Sequence, residues 1–356
     1  MGLVLLPALA SAQGAESSAW VEDLRLDAFV DAFVAVNSQD NTQALGDATT
    51  GHRAYVFNEG FQLSFAGLDA RYARGKIGAT ASLRFGPSVI RYFGDQGPLG
   101  FDNLTQAYLT WKPSDAISVD FGQFGTIYGA EVAESWLNPT YTRGALYYAM
   151  QPFWHVGMRA NWQASDALRL TVMAVNGVNN AVDLDETPGL GAQLAYSGDG
   201  FGVIAGYMWT ANDTEKDASD FFEHLVDLIA TVEAGAFGLV FNADFGVTDE
   251  TSFYGAALTP RYTISENLGV AVRGEYLAWP DNTGADHVPG VGGGVYEGLV
   301  TATLTLDWRP VGNSHFVLRP ELRYEQALGA DAFADADGEP TAGWWTAVLG
   351  GVVNSW

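Results

Sequence analysis

From Leu24 onward, apolar and polar residues exchange places at every second position, in runs of roughly ten residues. That period belongs to β-strands whose two faces meet different surroundings. Between His315 and Glu325, Phe316, Leu318, Leu322 and Tyr324 share one face, while His315, Arg319, Glu321, Arg323 and Glu325 share the other. Likewise Tyr296, Val300, Leu304, Leu306 and Trp308 oppose Glu297, Thr301, Thr303, Thr305 and Asp307, and Ile77, Ala79, Leu83 and Phe85 oppose Lys76, Thr80, Ser82 and Arg84. A soluble sandwich also alternates, so the period sets the element type and not the solvent.

The links discriminate better. Short turn-forming links fall at 112–115, 164–166, 197–200, 234–236, 265–267 and 310–313, with a somewhat longer one from Gly67 to Gly75. Longer polar links lie between them at 37–53, 86–102, 126–152, 177–188, 211–220, 280–293 and 326–340; the short link 248–251 is the exception. Strict alternation of short turns and long loops is the rhythm of a transmembrane antiparallel up-and-down β-barrel. The segments number about sixteen, an even count that puts both termini on one side, expected to be periplasmic. Trp111, Trp162, Tyr196, Tyr262 and Trp308 stand near strand ends, where an interfacial aromatic girdle is expected.

Composition agrees. Charged residues make up 17% and aromatics 13%, with 42 glycines in 356 residues and a mean hydropathy of +0.03. No run reaches the roughly 18 apolar residues that a membrane helix needs, so the apolar content is spread over strands. A net charge of −25 with only 17 Lys and Arg argues against a nucleic-acid partner, and the lack of cysteine removes disulfides, thiol catalysis and Cys-based zinc sites. At the start, Leu3 to Leu9 form a short apolar core before Ala10-Ser11-Ala12, a small-x-small cleavage pattern. The expected organisation is a signal peptide over 1–12, truncated at its start, a periplasmic segment over 13–23, and a barrel over 24–356.

Strand periodicity assigns Lys76, Arg84, Arg159, Arg169, Arg261, Arg273, Arg319 and Arg323 to the lumen wall, beside Asp27, Asp31, Asp227, Asp244, Glu275, Glu297, Asp307, Glu321 and Glu325. Arg or Lys at mid-depth on the lipid face would cost roughly 2–4 kcal/mol each, which favours this partition. The link 126–152 carries Tyr128, Glu131, Glu134, Trp136, Arg143, Tyr147 and Tyr148, more apolar and aromatic than an exposed loop. Two placements follow. It folds into the lumen with Glu131, Glu134 and Arg143 at a pore constriction, or it lies at the surface or a subunit contact.

Other chemistry finds little support. There is no Gly-x-Ser-x-Gly elbow and no His-Glu-x-x-His, so neither a serine hydrolase nor a zinc enzyme is expected. Gly200-x-Gly202-x-x-Ala205 fits a loose dinucleotide pattern, but Ile204 to Trp209 reads as a strand where that motif needs a helix. Asp335-x-Asp337-Gly338-Glu339 reads as a solvated acidic loop rather than a calcium loop, because Phe333 and Trp344 stand where ligands are required, with weak Ca²⁺ or Mg²⁺ binding by its carboxylates as the alternative. No catalysis, cofactor or metal is expected.

One stretch carries a resemblance: Val119-Asp120-Phe121-Gly122-Gln123-Phe124, Ile127-Tyr128-Gly129-Ala130-Glu131-Val132 and Asn138-Pro139-Thr140-Tyr141-Thr142-Arg143-Gly144, followed by Pro152-Phe153, His155-Val156-Gly157-Met158-Arg159 and Val175-Asn176-Gly177. It resembles the β-barrel porin 2, OmpL-like family of bacterial outer-membrane porins. The chain also ends on Trp356, similar to outer-membrane proteins that finish on an aromatic read by the assembly machinery. The resemblance implies a channel in the outer membrane of a Gram-negative bacterium that passes small hydrophilic solutes and ions without catalysis. Its expected partners are outer-membrane lipids, the assembly machinery and further copies of itself. Acidic long links suggest a modest cation preference. A substrate-selective barrel for sugar, phosphate or lipid, with Phe29 and Phe33 as a stacking track, and a closed structural or adhesive barrel are the alternatives.

Overall fold

A computed structural model describes residues 22–38, 60–89, 102–183, 186–211, 222–247, 252–280, 297–312, 315–329 and, within 331–355, all but 332, 336 and 338. The signal segment, Trp356 and much of the long links 37–53, 86–102, 211–220 and 280–293 lie outside the described residues. Sixteen strands form one sheet: β1 Leu24–Asn37, β2 Gly60–Arg74, β3 Ile77–Phe85, β4 Leu104–Ser114, β5 Ile117–Gly125, β6 Trp154–Gln163, β7 Leu168–Val175 and β8 Gly189–Gly198. The series continues with β9 Phe201–Trp209, β10 His224–Ala234, β11 Phe237–Val247, β12 Ser252–Ser265, β13 Leu268–Ala278, β14 Gly298–Trp308, β15 Phe316–Leu328 and β16 Gly343–Asn354.

Every strand pairs antiparallel with its neighbours in sequence, and β16 closes on β1 from Phe29↔Asn354 to Asn37↔Thr346. Closure leaves no unpaired edge, so each strand's backbone groups are satisfied within the sheet, as a hydrocarbon surround demands. The expected antiparallel barrel of about sixteen strands is what forms. Between β11 and β12 only four residues intervene, the one short link on the long-link side.

The two faces are inverted relative to a soluble protein. On β14, Thr301, Thr303 and Thr305 are buried inside while Val300, Leu304 and Leu306 are exposed outside. On β15, Arg319, Glu321, Arg323 and Glu325 are buried while Leu322 and Tyr324 are exposed. Register continues the outer face from strand to strand, with Leu109 beside Phe121 and Phe121 beside Met158. So continuous an apolar outer surface suits lipid, not water.

Aromatic belts bound it. Trp111, Trp162, Tyr196, Tyr262 and Trp308 all face outward near the short turns, and Tyr207, Tyr254, Tyr276, Tyr324 and Trp345 face outward toward the long links. Tyr254 and Tyr262 share β12, eight positions apart. At about 3.3 Å per residue and a tilt near 40°, that separates the belts by about 20 Å, comparable to the roughly 25 Å apolar band of such barrels.

One segment differs from its sequence reading. Residues 67–74 are strand, not link, and the turn between β2 and β3 shrinks to Gly75-Lys76. Asp69 and Arg71 made this piece look like a turn, yet both lie on the ladder with β1, where Arg71 bonds Asp27 at 2.9 Å. Gly67 is required there because a Cβ would fall 2.3 Å from the Phe29 ring.

Candidate pore interior

The link 126–153, between β5 and β6, runs through the barrel rather than over it. It contains a 3-10 turn, Ser135–Leu137, and a short helix, α1, Ala145–Met150. Helix α1 lays Leu146, Ala149 and Met150 against the inward face of β11 to β13, in a cluster with Phe253 and Leu277. Gly255 makes room for it, since a Cβ there would meet Leu146 at 2.7 Å. On the opposite wall, Trp136 packs on Phe29 with ring centroids 4.3 Å apart, and Tyr141 lies near Phe33.

A backbone segment crossing a barrel interior needs partners for its polar groups. The wall charges supply them. Glu321 accepts the N–H of Tyr141 at 2.7 Å and of Thr142 at 3.1 Å, and Glu275 accepts that of Leu146 at 3.1 Å. Asn242 accepts the N–H of Ala130 at 2.9 Å. In the other direction, Arg319 donates to the carbonyls of Ser135 and Asn138, Arg273 to that of Thr142 at 2.7 Å, and Arg323 to that of Arg143 at 2.6 Å. Ser135 and Tyr141 donate hydroxyls to Asp31 at 2.8 and 2.7 Å.

Ion pairs complete the grip. Glu131 meets Arg273 at 2.7 Å, Glu134 meets Arg84 at 2.7 Å, and Arg84 also holds Asp69 at 2.8 Å. Arg273 and Arg323 pair along their strands with Glu275 and Glu325. Arg143 points into the packed interior; burial pushes its guanidinium down to about 10 against the pull of Asp31, so it stays charged near neutral pH. Glu131, Glu134, Arg84, Arg143, Arg273, Glu275, Arg319, Glu321 and Arg323 thus meet in one network around the link.

The remaining wall residues lie elsewhere. Arg159 pairs with Asp120 at 2.9 Å and stacks on Phe124 at 4.5 Å. Arg261 pairs with Glu233 near the short turns, and Arg169 is exposed at the same end. Lys76 is not on the wall: it is the second residue of the Gly75-Lys76 turn, exposed, and donates to the carbonyl of Pro113 at 2.7 Å. Period-2 counting carried one position past the strand end. Glu297, exposed just before β14, is displaced in the same way. Phe29 and Phe33, offered as a stacking track, are covered by the link.

Among the described residues, two cavities open at the short-turn end. One of about 430 Å³ is bounded by Leu137, Glu233, Arg261, Asp307 and Arg319; the other, of about 590 Å³, by Lys112, Ser118, Arg159, Asn161, Arg169 and Gln193. Toward the long links, Met173, Met208, Leu225, Phe253, Leu277, Leu299 and Trp344 fill the inside of β7 to β16 with apolar side chains. Asp335, in the acidic link, accepts the N–H groups of Asp337 and Glu339. Among the described residues, no group of three potential metal ligands occurs.

Sequence reading missed several anchors. Asp69 was hidden in the misread link. Asn242 and Gln151, which bond each other at 2.8 Å, carry no signal, because nothing local says that a distant link will reach them.

The family model described as "Putative beta-barrel porin-2, OmpL-like" matches residues 23–352. No curated protein matches the sequence significantly. Among solved structures, the outer membrane channel DcaP of Acinetobacter baumannii is similar at a TM-score of 0.60 and 14% identity, covering 93% of this chain and 97% of that one. The anion-selective porin from Comamonas acidovorans gives 0.59 at 12% identity, covering 93% and 99%, and the trimer form of OmpT of Vibrio cholerae gives 0.58 at 12%, also covering 93% and 99%. At these identities the likeness establishes the fold, and the family model supplies the lineage. The chain is an outer-membrane β-barrel belonging to the beta-barrel porin-2, OmpL-like family.

Proposed function

We propose that the barrel is a narrow diffusion channel for small hydrophilic solutes and ions, without catalysis or cofactor, with its termini and short turns on the periplasmic side. The observation that carries this reading is an apolar outer surface enclosing a charged interior, with two polar vestibules at one end. The link 126–153 is the constriction in this reading, and Glu131, Glu134 and Arg143 are its charged groups. Net charge of −25 and acidic long links, such as Asp331, Asp335, Asp337 and Glu339, favour a modest cation preference, strongest at low salt. The trimeric form of a solved neighbour supports a homo-oligomer.

Reversal potentials in a salt gradient across planar bilayers test the selectivity. The expected result is a cation-side potential that shrinks when Glu131→Gln and Glu134→Gln are combined; an anion-side potential in the unaltered protein overturns it. The density of bonds between link and wall favours a second reading, a substrate-selective barrel. Block of the current by one class of solute distinguishes that reading from free diffusion.

A further inference from the structure

The two vestibules differ in how their positive charges are spent. In the smaller one, Arg261 is paired with Glu233, and Arg309 and Arg319 are both paired with Asp307. The larger one is bounded by Lys112 at the end of β4, Arg159 on β6 and Arg169 at the start of β7. Arg159 is spent: its Nε and Nη2 both bond Asp120, at 3.1 and 2.9 Å. Lys112 and Arg169 are not. Both are exposed, both border the cavity, and among the described residues neither side chain makes a hydrogen bond or an ion pair. Of the described acids, Asp115 alone borders this cavity.

The rest of the lining suits an anion too. Of its polar groups, Thr171 donates to Asn161, Asn161 to Ser118, Gln163 to the carbonyl of Ser165 and Gln193 to that of Ile127, which leaves the Ser118 hydroxyl and the two cations to meet a solute. We propose that the larger vestibule is a binding station for small oxyanions, solutes carrying a carboxylate or phosphate group, with Lys112 and Arg169 as the two cations that hold them. Two solvated cations on separate strands attract an anion without locking it in, the balance that permeation needs. The station lies at one end only, opposite the acidic long links, so anions bind preferentially from the short-turn side. The proposal goes beyond the channel reading, since it places a local anion site within a barrel of overall cation preference, and its test does not require conduction.

The test is phosphorus-31 line broadening of inorganic phosphate by the purified protein in a phosphorus-free detergent. Saturable broadening is expected. It weakens roughly tenfold or more in K112Q/R169Q, as two charges near the ligand are removed, and persists in K112R/R169K. Among the described residues neither side chain bonds to another group, so these variants keep the fold. R261Q, which removes one positive charge from the other vestibule, retains the broadening. Competition by acetate identifies the shared oxyanion chemistry, and persistence under excess acetate narrows the ligand to phosphate. Absence of saturable broadening, equal broadening by K112Q/R169Q, or an equal loss in R261Q overturns the site. A barrel that binds phosphate but carries no current refutes the channel reading and leaves the site standing.

Discussion

Arg273 is the most informative single residue, because it holds the link by charge and by backbone at once. Its Nη1 donates to Glu131 and to the carbonyl of Thr142, both at 2.7 Å, and its Nε meets Glu275 at 3.2 Å. Arg273→Met keeps an extended chain but leaves Glu131 without its ion pair and the Thr142 carbonyl without this donor. Removing one partner of a buried pair costs about 3–5 kcal/mol. Glu275 retains a bond from Thr301, so most of that cost falls on the link. The sheet is closed by backbone pairing and keeps its form, so the substitution shifts the equilibrium between a docked and a released link. Arg143, buried in the docked link, reports the shift through trypsin cleavage of detergent-solubilised protein. With opening fast relative to cleavage, the rate after Arg143 rises by about two to three orders of magnitude. In a Glu131→Gln background the same substitution costs about 2 kcal/mol less, because no carboxylate is stranded there. A wild-type cleavage rate in Arg273→Met, or strictly additive effects in the cycle, refutes the reasoning.

Leu258 faces lipid on β12 beside the inward Thr259, and Leu258→Arg is expected to lower folding stability into vesicles by about 2–4 kcal/mol in a denaturant titration; no loss would place that face away from lipid. For topology, a cysteine at Asp335 is expected to react with an impermeant thiol reagent on intact cells, and one at Ser114 only after the outer membrane is opened. The chain has no cysteine of its own, so reversed labelling would invert the assigned sides.

Much of the barrel was legible because its period is local. A strand with lipid on one side and the lumen on the other writes both environments into successive residues, and Thr301 to Leu306 on β14 can be read without a partner. Turn chemistry supplied the count. The errors arose where charge imitates a turn: Asp69 and Arg71 look like loop residues until Arg84 and Asp27 are seen beside them. Unusual aromatic content marked the link as needing burial, but its anchors, spread over strands from β1 to β15, were beyond reach. Glu321 bonds Tyr141 across 180 positions, and no local pattern encodes such a pairing. Nor does alternation tell a free wall charge from a spent one. Arg169 and Arg323 look alike in sequence, yet one is exposed at a cavity mouth and the other is buried, bonding the carbonyl of Arg143.

Current through the purified protein in planar bilayers tests the central claim most directly. Discrete, stepwise and persistent conductance increments are predicted, with larger increments more frequent when Arg273→Met shifts the link toward its released state. Silent bilayers from protein whose folded barrel has been verified would contradict the channel and leave a closed barrel in its place.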